Sequence, residues 1–331
     1  MKQLLGAEIR LAARPVGEPA PADFELVTAE VPEPGPGEVL VRNTWMSVDP
    51  YMRGRMDDVP GALPPFALGS VLEGGAIGEV VGSNDPDLKI GDTVTHFAGW
   101  REYSVVGDAT RIDTTIAPPQ AYLGVLGATG LTAYAALTDV LKVKPGDVVF
   151  VSAAAGAVGS VAGQLARRFG AAKVIGSAGG PLKTKKLIED FGFDAAIDYK
   201  AGDLAARLAA EAPDGIDAYV DNVGGDHLEA ALDRLKVGGR AALVGSISGY
   251  NQRVPGPSNL MQVTYKSLTL QGLQVTSYLH LFGEYIGLAA PVLADGTLHA
   301  EETVVAGLAQ APEALIGVLR GANTGKMLVK M

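Results

Sequence analysis

The chain has 331 residues, 47% hydrophobic and 19% charged, a balance that excludes a disordered chain and suits about two domains. Its net charge of −10 argues against general binding to nucleic acid or anionic membranes. No cysteine is present, which rules out disulfides, thiolate zinc sites, iron–sulfur clusters and a catalytic thiol.

The first residues carry Glu8, Arg10 and Arg14 and no apolar run, so a secretory signal is not expected. Residues 1–126 read as short strands separated by proline-rich turns. Strands are predicted at Val39–Thr44, Gly78–Gly82, Ile90–Thr95 and Trp100–Val106, and the whole is expected to form a partly open, mainly β barrel. Asp49 and Arg53 stand close enough in this part to be read as a mutual pair.

Residues 127–296 change in texture. A helix is predicted over Thr132–Leu141, closed by Lys144-Pro-Gly-Asp147. Strand and helix then alternate: Val148–Ser152, Val158–Phe169, Lys173–Ser177, Pro181–Phe191, Ala195–Asp198, Leu204–Ala210, Ala218–Asn222, His227–Leu235 and Arg240–Val244. Short apolar strands separated by helices of about ten residues predict a doubly wound parallel sheet, an α/β Rossmann domain. Val148–Ala166 is apolar enough to resemble a membrane span. Its β-branched residues all but end where its small residues begin, so strand, turn and helix describe it better. Residues 297–331 carry a helix near Pro312–Gly321 and a terminal strand, Lys326–Lys330, expected to return to the first domain.

The turn after Val148–Ser152 reads Ala153-Ala-Ala-Gly-Ala-Val-Gly-Ser160. This is an A-x-G-x-x-G dinucleotide fingerprint in its required setting, a strand before and a helix after. Gly156 allows close approach to a pyrophosphate, and Gly159 allows helix and strand to pack. The alternative is a packing turn that holds no ligand. The second strand ends at Gly176-Ser-Ala-Gly-Gly180 without the carboxylate that binds a ribose hydroxyl in NAD-dependent proteins. Lys183, Lys185 and Lys186 instead open the next helix, where cations oppose the helix dipole. A 2′-phosphate would remove that conflict, so NADPH is the expected cofactor, with Lys183 nearest the strand end. His96, His227, His280 and His299 are scattered, and no metal site is expected.

Several segments together resemble the zinc-free medium-chain dehydrogenase/reductase superfamily, and within it the prostaglandin and leukotriene reductases, alkenal double-bond reductases and bacterial curcumin reductases. They are Val48-Asp-Pro-Tyr-Met-Arg-Gly-Arg-Met56, Gly130-Leu-Thr-Ala-Tyr134, Ala153–Gln164, Asp221-Asn-Val-Gly-Gly225, Gly245-Ser-Ile-Ser-Gly-Tyr-Asn251 and Asn323-Thr-Gly-Lys326. The resemblance implies a GroES-like domain built from both chain ends around a Rossmann domain. It implies NADPH-dependent reduction of the carbon–carbon double bond of enones and enals, small-molecule substrates, a cytoplasmic location and a homodimer. It places Gly156, Ala157, Val158 and Gly159 at the pyrophosphate, and Lys183 and Tyr199 at the adenosine phosphate. It places Asn222 and the run Val244, Gly245, Ser246, Ile247, Ser248 and Tyr250 at the ribose and nicotinamide. Leu273, Gln274 and Val275 are placed at the carboxamide, and Asn323 in the cofactor site from the tail. Tyr250 and Tyr51 are the candidate catalytic phenols, since a phenol donates a proton at neutral pH. A quinone oxidoreductase of the same fold, and an NADPH-binding scaffold or sensor without turnover, are the alternative readings.

Overall fold

The computed structural model describes residues 3–59, 61 and 63–331. The chain divides into two compact units, Met1–Gly124 with Glu302–Met331, and Val125–Glu301. In chain order the first stretch holds β1 (Leu5–Leu11), β2 (Phe24–Glu30), β3 (Val39–Ser47), α1 (Tyr51–Arg55), β4 (Ala76–Ser83), β5 (Thr93–His96), β6 (Tyr103–Val106) and β7 (Thr110–Arg111). The second unit begins with α2 (Ala128–Ala135) and continues through β8 (Val148–Val151), α3 (Ala157–Arg168), β9 (Lys173–Ala178), α4 (Pro181–Glu189), β10 (Ala195–Asp198) and α5 (Leu204–Glu211). It closes with β11 (Ile216–Asp221), α6 (Gly225–Arg234), β12 (Leu235–Leu243), α7 (Met261–Tyr265), β13 (Thr269–Gly272) and α8 (Phe282–Ala294). The chain then returns to the first unit as β14 (Glu302–Ala306), α9 (Ala311–Leu319) and β15 (Lys326–Lys330).

The second unit is a six-stranded sheet in the order β10-β9-β8-β11-β12-β13, with every pair parallel. A parallel sheet needs cover on both faces, and its central strands β8 and β11 are accordingly mostly buried and apolar between their ends. Phe150 of β8 stacks on Tyr219 of β11 at 5.0 Å, and Ile175, Leu208 and Leu232 complete that core. Burying each such side chain contributes about 1.5–3 kcal/mol.

The first unit is mainly β. Its sheet runs β14-β15-β3-β4-β5-β7, with β6 also paired to β3, and β1 and β2 form a separate antiparallel ladder. These strands make the mainly β domain expected from the sequence, as one seven-stranded sheet and a two-stranded ladder. Its core gathers Met46, Met52, Met56, Met327 and Leu315 around Trp100, which stacks on Phe24 at 6.1 Å.

The terminal strand does return: β15 pairs antiparallel with β3 and parallel with β14. Elsewhere the elements differ from those predicted. The helix predicted over Thr132–Leu141 starts earlier, at Ala128, and Ala136–Val140 widens into a π-helical turn closed by Leu141 N–H to the Ala136 carbonyl at 2.8 Å. Asp49 does not pair with Arg53. Its carboxylate accepts from Ser47 and from the buried Lys326, whose ammonium also reaches the Val48 carbonyl at 3.3 Å. Arg53 instead binds Asp57 at 2.8 Å and the Gly17 carbonyl at 2.9 and 3.1 Å. The Asp49–Lys326 pair thus pins the turn before α1 to the last strand of the chain.

Removing one member of a buried ion pair typically costs about 3–5 kcal/mol, because the other charge stays buried. Lys326→Met should lower the urea midpoint of unfolding by that measure, and the double variant Asp49→Asn/Lys326→Met should recover part of the loss. A Lys326→Met protein as stable as the wild type would contradict this assignment.

Candidate active site

The fingerprint turn begins where β8 runs out of sheet. Ser152 is fully buried and its N–H still donates to the Val220 carbonyl at 3.1 Å. Ala153 takes a left-handed conformation, φ +47°. An alanine there costs about 1–2 kcal/mol relative to right-handed backbone. Ala154 then donates its N–H to the Ser177 carbonyl at 2.9 Å, which joins the turn to β9. Gly156 is the N-cap of α3 and supplies no side-chain cap, so the N–H groups of Ala157, Val158 and Gly159 in the first turn are offered to a ligand. A methyl group on Gly156 would meet only the Ala153 carbonyl oxygen, at 3.1 Å. On Gly159 it would stand 2.4 Å from that oxygen and 2.7 Å from Ala154 Cα. Only glycine fits at 159, because backbone fills the space.

At the end of β9, Gly180 caps α4 with φ +94°, and Pro181 fills the first helical position. One oxygen of Asp198 binds Gly180 N–H at 2.8 Å and Lys200 N–H at 3.0 Å, which ties the β10 end to the α4 start. Asp198 is therefore occupied as a clamp. Lys183 is half-buried. Burial, and then the ammonium of Lys200, hold its pKa below the usual lysine value. Tyr199 meets the ring of His227 edge-on at 5.2 Å. Burial holds His227 down to about 4, so it is neutral at physiological pH.

The middle of the sheet edge is organised by Asp221 at the end of β11, which is 1% exposed. Its carboxylate accepts from Tyr219 at 2.7 Å, Gly224 N–H at 2.8 Å, Val223 N–H at 3.0 Å and Ser152 at 3.3 Å. Burial nevertheless raises its pKa above the ordinary carboxylate value, against the pull of those donors. Its backbone carbonyl accepts from Val244 and Gly245 at 2.8 and 3.1 Å. Asn222 donates its side-chain amide to the Ser152 carbonyl at 2.8 Å, so it too binds β8 to β11. The loop that follows is held by Ile247 N–H to Asn222 and by Ser248, whose hydroxyl donates to Val223 at 2.6 Å.

Tyr250 folds back over this loop. Its hydroxyl lies 3.3 Å from where a Gly245 methyl group would stand, and it accepts from the Ser246 backbone. Burial raises its pKa above the usual phenol value, so it stays protonated. Beyond the end of β12, Leu243, Gly272, Leu273, Gln274, Ser277 and Tyr278 line a hollow of about 480 Å³. Val275 begins the 3₁₀ turn that follows and does not line it.

Tyr51 and Asn323 belong to the other unit. The Tyr51 hydroxyl is buried without a hydrogen-bond partner, and burial, then Asp49, push its pKa well above the phenol range. Asn323 donates its amide to the Gly325 carbonyl at 2.8 Å. Among the described residues no group of three or more His, Asp or Glu could hold a metal. His96 is engaged with Asn43 at 2.9 Å, and burial lowers its pKa to about 4. Sequence reasoning passed over Ala153, Asp198, Lys200 and Asp221. The last two were marked only by position, Lys200 directly after Tyr199 and Asp221 at the head of Asp221-Asn-Val-Gly-Gly225.

The family model for the N-terminal domain of oxidoreductases matches residues 7–114, and that for zinc-binding dehydrogenases matches residues 157–291. The chain is 41% identical to the NADP(+)-dependent 2-alkenal reductase of Nicotiana tabacum, across 95% of this chain and 94% of that protein. It is 38% identical to the NADPH-dependent curcumin reductase of Escherichia coli K12, across 97% and 95%. The crystal structure of CurA from Vibrio vulnificus in complex with NADPH matches with a TM-score of 0.93 at 39% identity, covering 98% of this chain and 99% of that one. The chain belongs to the medium-chain dehydrogenase/reductase family, among its zinc-free members.

A phenol with a raised pKa releases no proton in the ordinary range. The difference in absorbance at 295 nm between wild type and Tyr250→Phe should show no tyrosinate step below about pH 10. A step at lower pH would contradict the burial seen for Tyr250.

Proposed function

We propose that this protein, an NADPH-dependent oxidoreductase, reduces the carbon–carbon double bond of α,β-unsaturated ketones and aldehydes. The observation that carries this reading is the protonated, half-buried phenol of Tyr250 in the loop after β12, in a chain that has no cysteine to bind a metal. The chain's residues fit the cofactor: a glycine turn open at Gly156, two lysines near the start of α4, and a hollow at Leu273 and Gln274. In this reading Val125–Glu301 binds the cofactor, through Gly156–Gly159, Lys183, Tyr199, Asn222, the loop Val244–Tyr250 and Leu273–Val275. Tyr51 and Asn323 take part from the first unit on the strength of the resemblance.

Bound NADPH supplies a hydride to the β-carbon of the substrate. The carbonyl oxygen then carries negative charge, and Tyr250 is the donor that stabilises it. At neutral pH the phenol is protonated, so it can donate a hydrogen bond to that oxygen. A proton at the α-carbon, from Tyr250 or solvent, completes the reduction.

The relatives' names favour alkenals and enones over quinones. We also infer a homodimer in the cytoplasm. β13 is the exposed edge of the six-stranded sheet, and Met261, Tyr265 and Leu279 are large apolar side chains left exposed in the same stretch. An open edge of this kind is a template for a second strand. No helix among the described residues is long and apolar enough to cross a membrane. Sedimentation equilibrium should read twice the chain mass; the mass of one chain would remove the dimer.

With NADPH and a simple enone, Tyr250→Phe should lower kcat and kcat/KM together, by about 10- to 100-fold, the low end of general-acid effects. NADPH affinity should change far less, since the Val244–Tyr250 loop keeps its backbone and the ring is retained. A wild-type kcat in this variant, measured where hydride transfer limits the rate, would remove Tyr250 from the chemistry. Faster wild-type turnover of a quinone than of any enone would favour the quinone oxidoreductase reading.

A further inference from the structure

Four lysines lie at the corner formed by α4 and the end of β10, and they are not equivalent. Lys185 pairs with Glu189 at 3.6 Å, and Lys186 pairs with Asp190 at 3.3 Å and Glu301 at 2.8 Å. Those charges are neutralised along the helix. Lys200 makes no ion pair among the described residues, and its stem does not simply extend into solvent. Its Cε lies 2.9 Å from where a Gly179 methyl group would stand, and the Tyr199 hydroxyl lies 3.0 Å from the same point. The end of its side chain is therefore laid across the glycine pair that opens α4.

Three features shape the loop that carries it. Asp198 binds the backbone of Lys200 and of Gly180 with one oxygen, so the two loops cannot separate freely. His227, neutral and buried, abuts the Tyr199 ring and fixes the residue before Lys200. Gly179 leaves the space empty that any larger residue would fill. The result brings the ammonium of Lys200 near that of Lys183, and both near the positive end of the α4 dipole. Like charges so placed repel. They favour a doubly charged anion between them far more than a neutral group, because an anion is attracted to both ammoniums at once.

We propose that Lys200 is the second cation of the site for the 2′-phosphate of the cofactor, and that it shares with Lys183 the discrimination of phosphorylated from unphosphorylated adenosine ribose. This rests on the reading of the protein as NADPH-dependent. It assigns to Gly179 a specificity role: without a side chain there, Lys200 can lie over the loop.

The test is calorimetric titration of the intact protein with 2′,5′-ADP and with 5′-AMP, which differ by that phosphate alone. Lys200→Met keeps the apolar stem and removes the charge. It should weaken 2′,5′-ADP by about 10-fold and leave 5′-AMP unchanged, as expected for one charge-assisted contact in a half-exposed site. Lys200→Arg should retain most of the preference. Lys183→Met/Lys200→Met should abolish it, and the dependence of 2′,5′-ADP affinity on salt should flatten with each charge removed. An unchanged ratio of the two affinities in Lys200→Met, alongside a lowered ratio in Lys183→Met, would overturn the proposal and leave Lys183 alone as the phosphate reader. Equal affinity of the wild type for both nucleotides would instead overturn the NADPH reading itself.

Discussion

One buried carboxylate holds the working edge of the molecule together. Asp221 ends β11 at the centre of the parallel sheet, and its side chain satisfies the N–H groups of the turn that follows. Its carbonyl at the same time receives Val244 and Gly245 from the end of β12. Ser152 at the end of β8 closes the circuit, bound to Asp221 and to Asn222. Hydrogen bonds to a charged acceptor contribute about 1.5–3 kcal/mol each, and an orphaned buried group costs a comparable amount. The three strand ends that carry the fingerprint turn, the Asn222 turn and the Tyr250 loop therefore stand or fall together. The position of the Tyr250 phenol is set at second hand, through a loop whose first bonds are to Asp221.

The electrostatics are local, and they run against the composition. A chain of net charge −10 places two ammonium groups near each other at the start of α4. Its surplus of carboxylates is spent elsewhere: on ion pairs along α4, on the Asp198 clamp, and on the Asp49–Lys326 pair in the first unit. Net charge governs what the whole surface attracts, whereas a small ligand meets only the few charges within a Debye length of it.

The alternation of strand and helix after residue 127 was legible because each central strand is a short apolar run bounded by turn residues, the pattern that burial on both faces imposes. The closing strand Lys326–Lys330 was legible for the same reason. The ladder of β1 and β2 was not. Leu5 and Leu26 are 55% and 52% exposed, so the inside–outside alternation that betrays a strand is broken in both. Helix α8 was hidden by Pro291 and by Gly283 and Gly287, residues that disfavour a helix in isolation. It forms nonetheless, with Tyr285 buried against the Val125 carbonyl beside α2. In the candidate site, the glycine turn was legible because its constraint is local, the backbone of Ala153 and Ala154 leaving no room for a side chain at Gly159. Asp221, Asp198 and Lys200 also act on Ser152, Gly180 and Lys183, which lie 69, 18 and 17 positions away in the chain, and no local pattern records such partners. Arg53 misled for the opposite reason: proximity in sequence to Asp49 suggested a pair that the fold does not make.

The carbon that receives the hydride distinguishes double-bond reduction from carbonyl reduction. The most direct measurement uses NADPH carrying deuterium at both C4 positions, an unlabelled enone, and NMR of the product. A saturated ketone with one deuterium on the carbon that was β to the carbonyl is the predicted result. An allylic alcohol with deuterium on the former carbonyl carbon would contradict it, as would NADPH that stays unoxidised in the presence of every enone and enal tried.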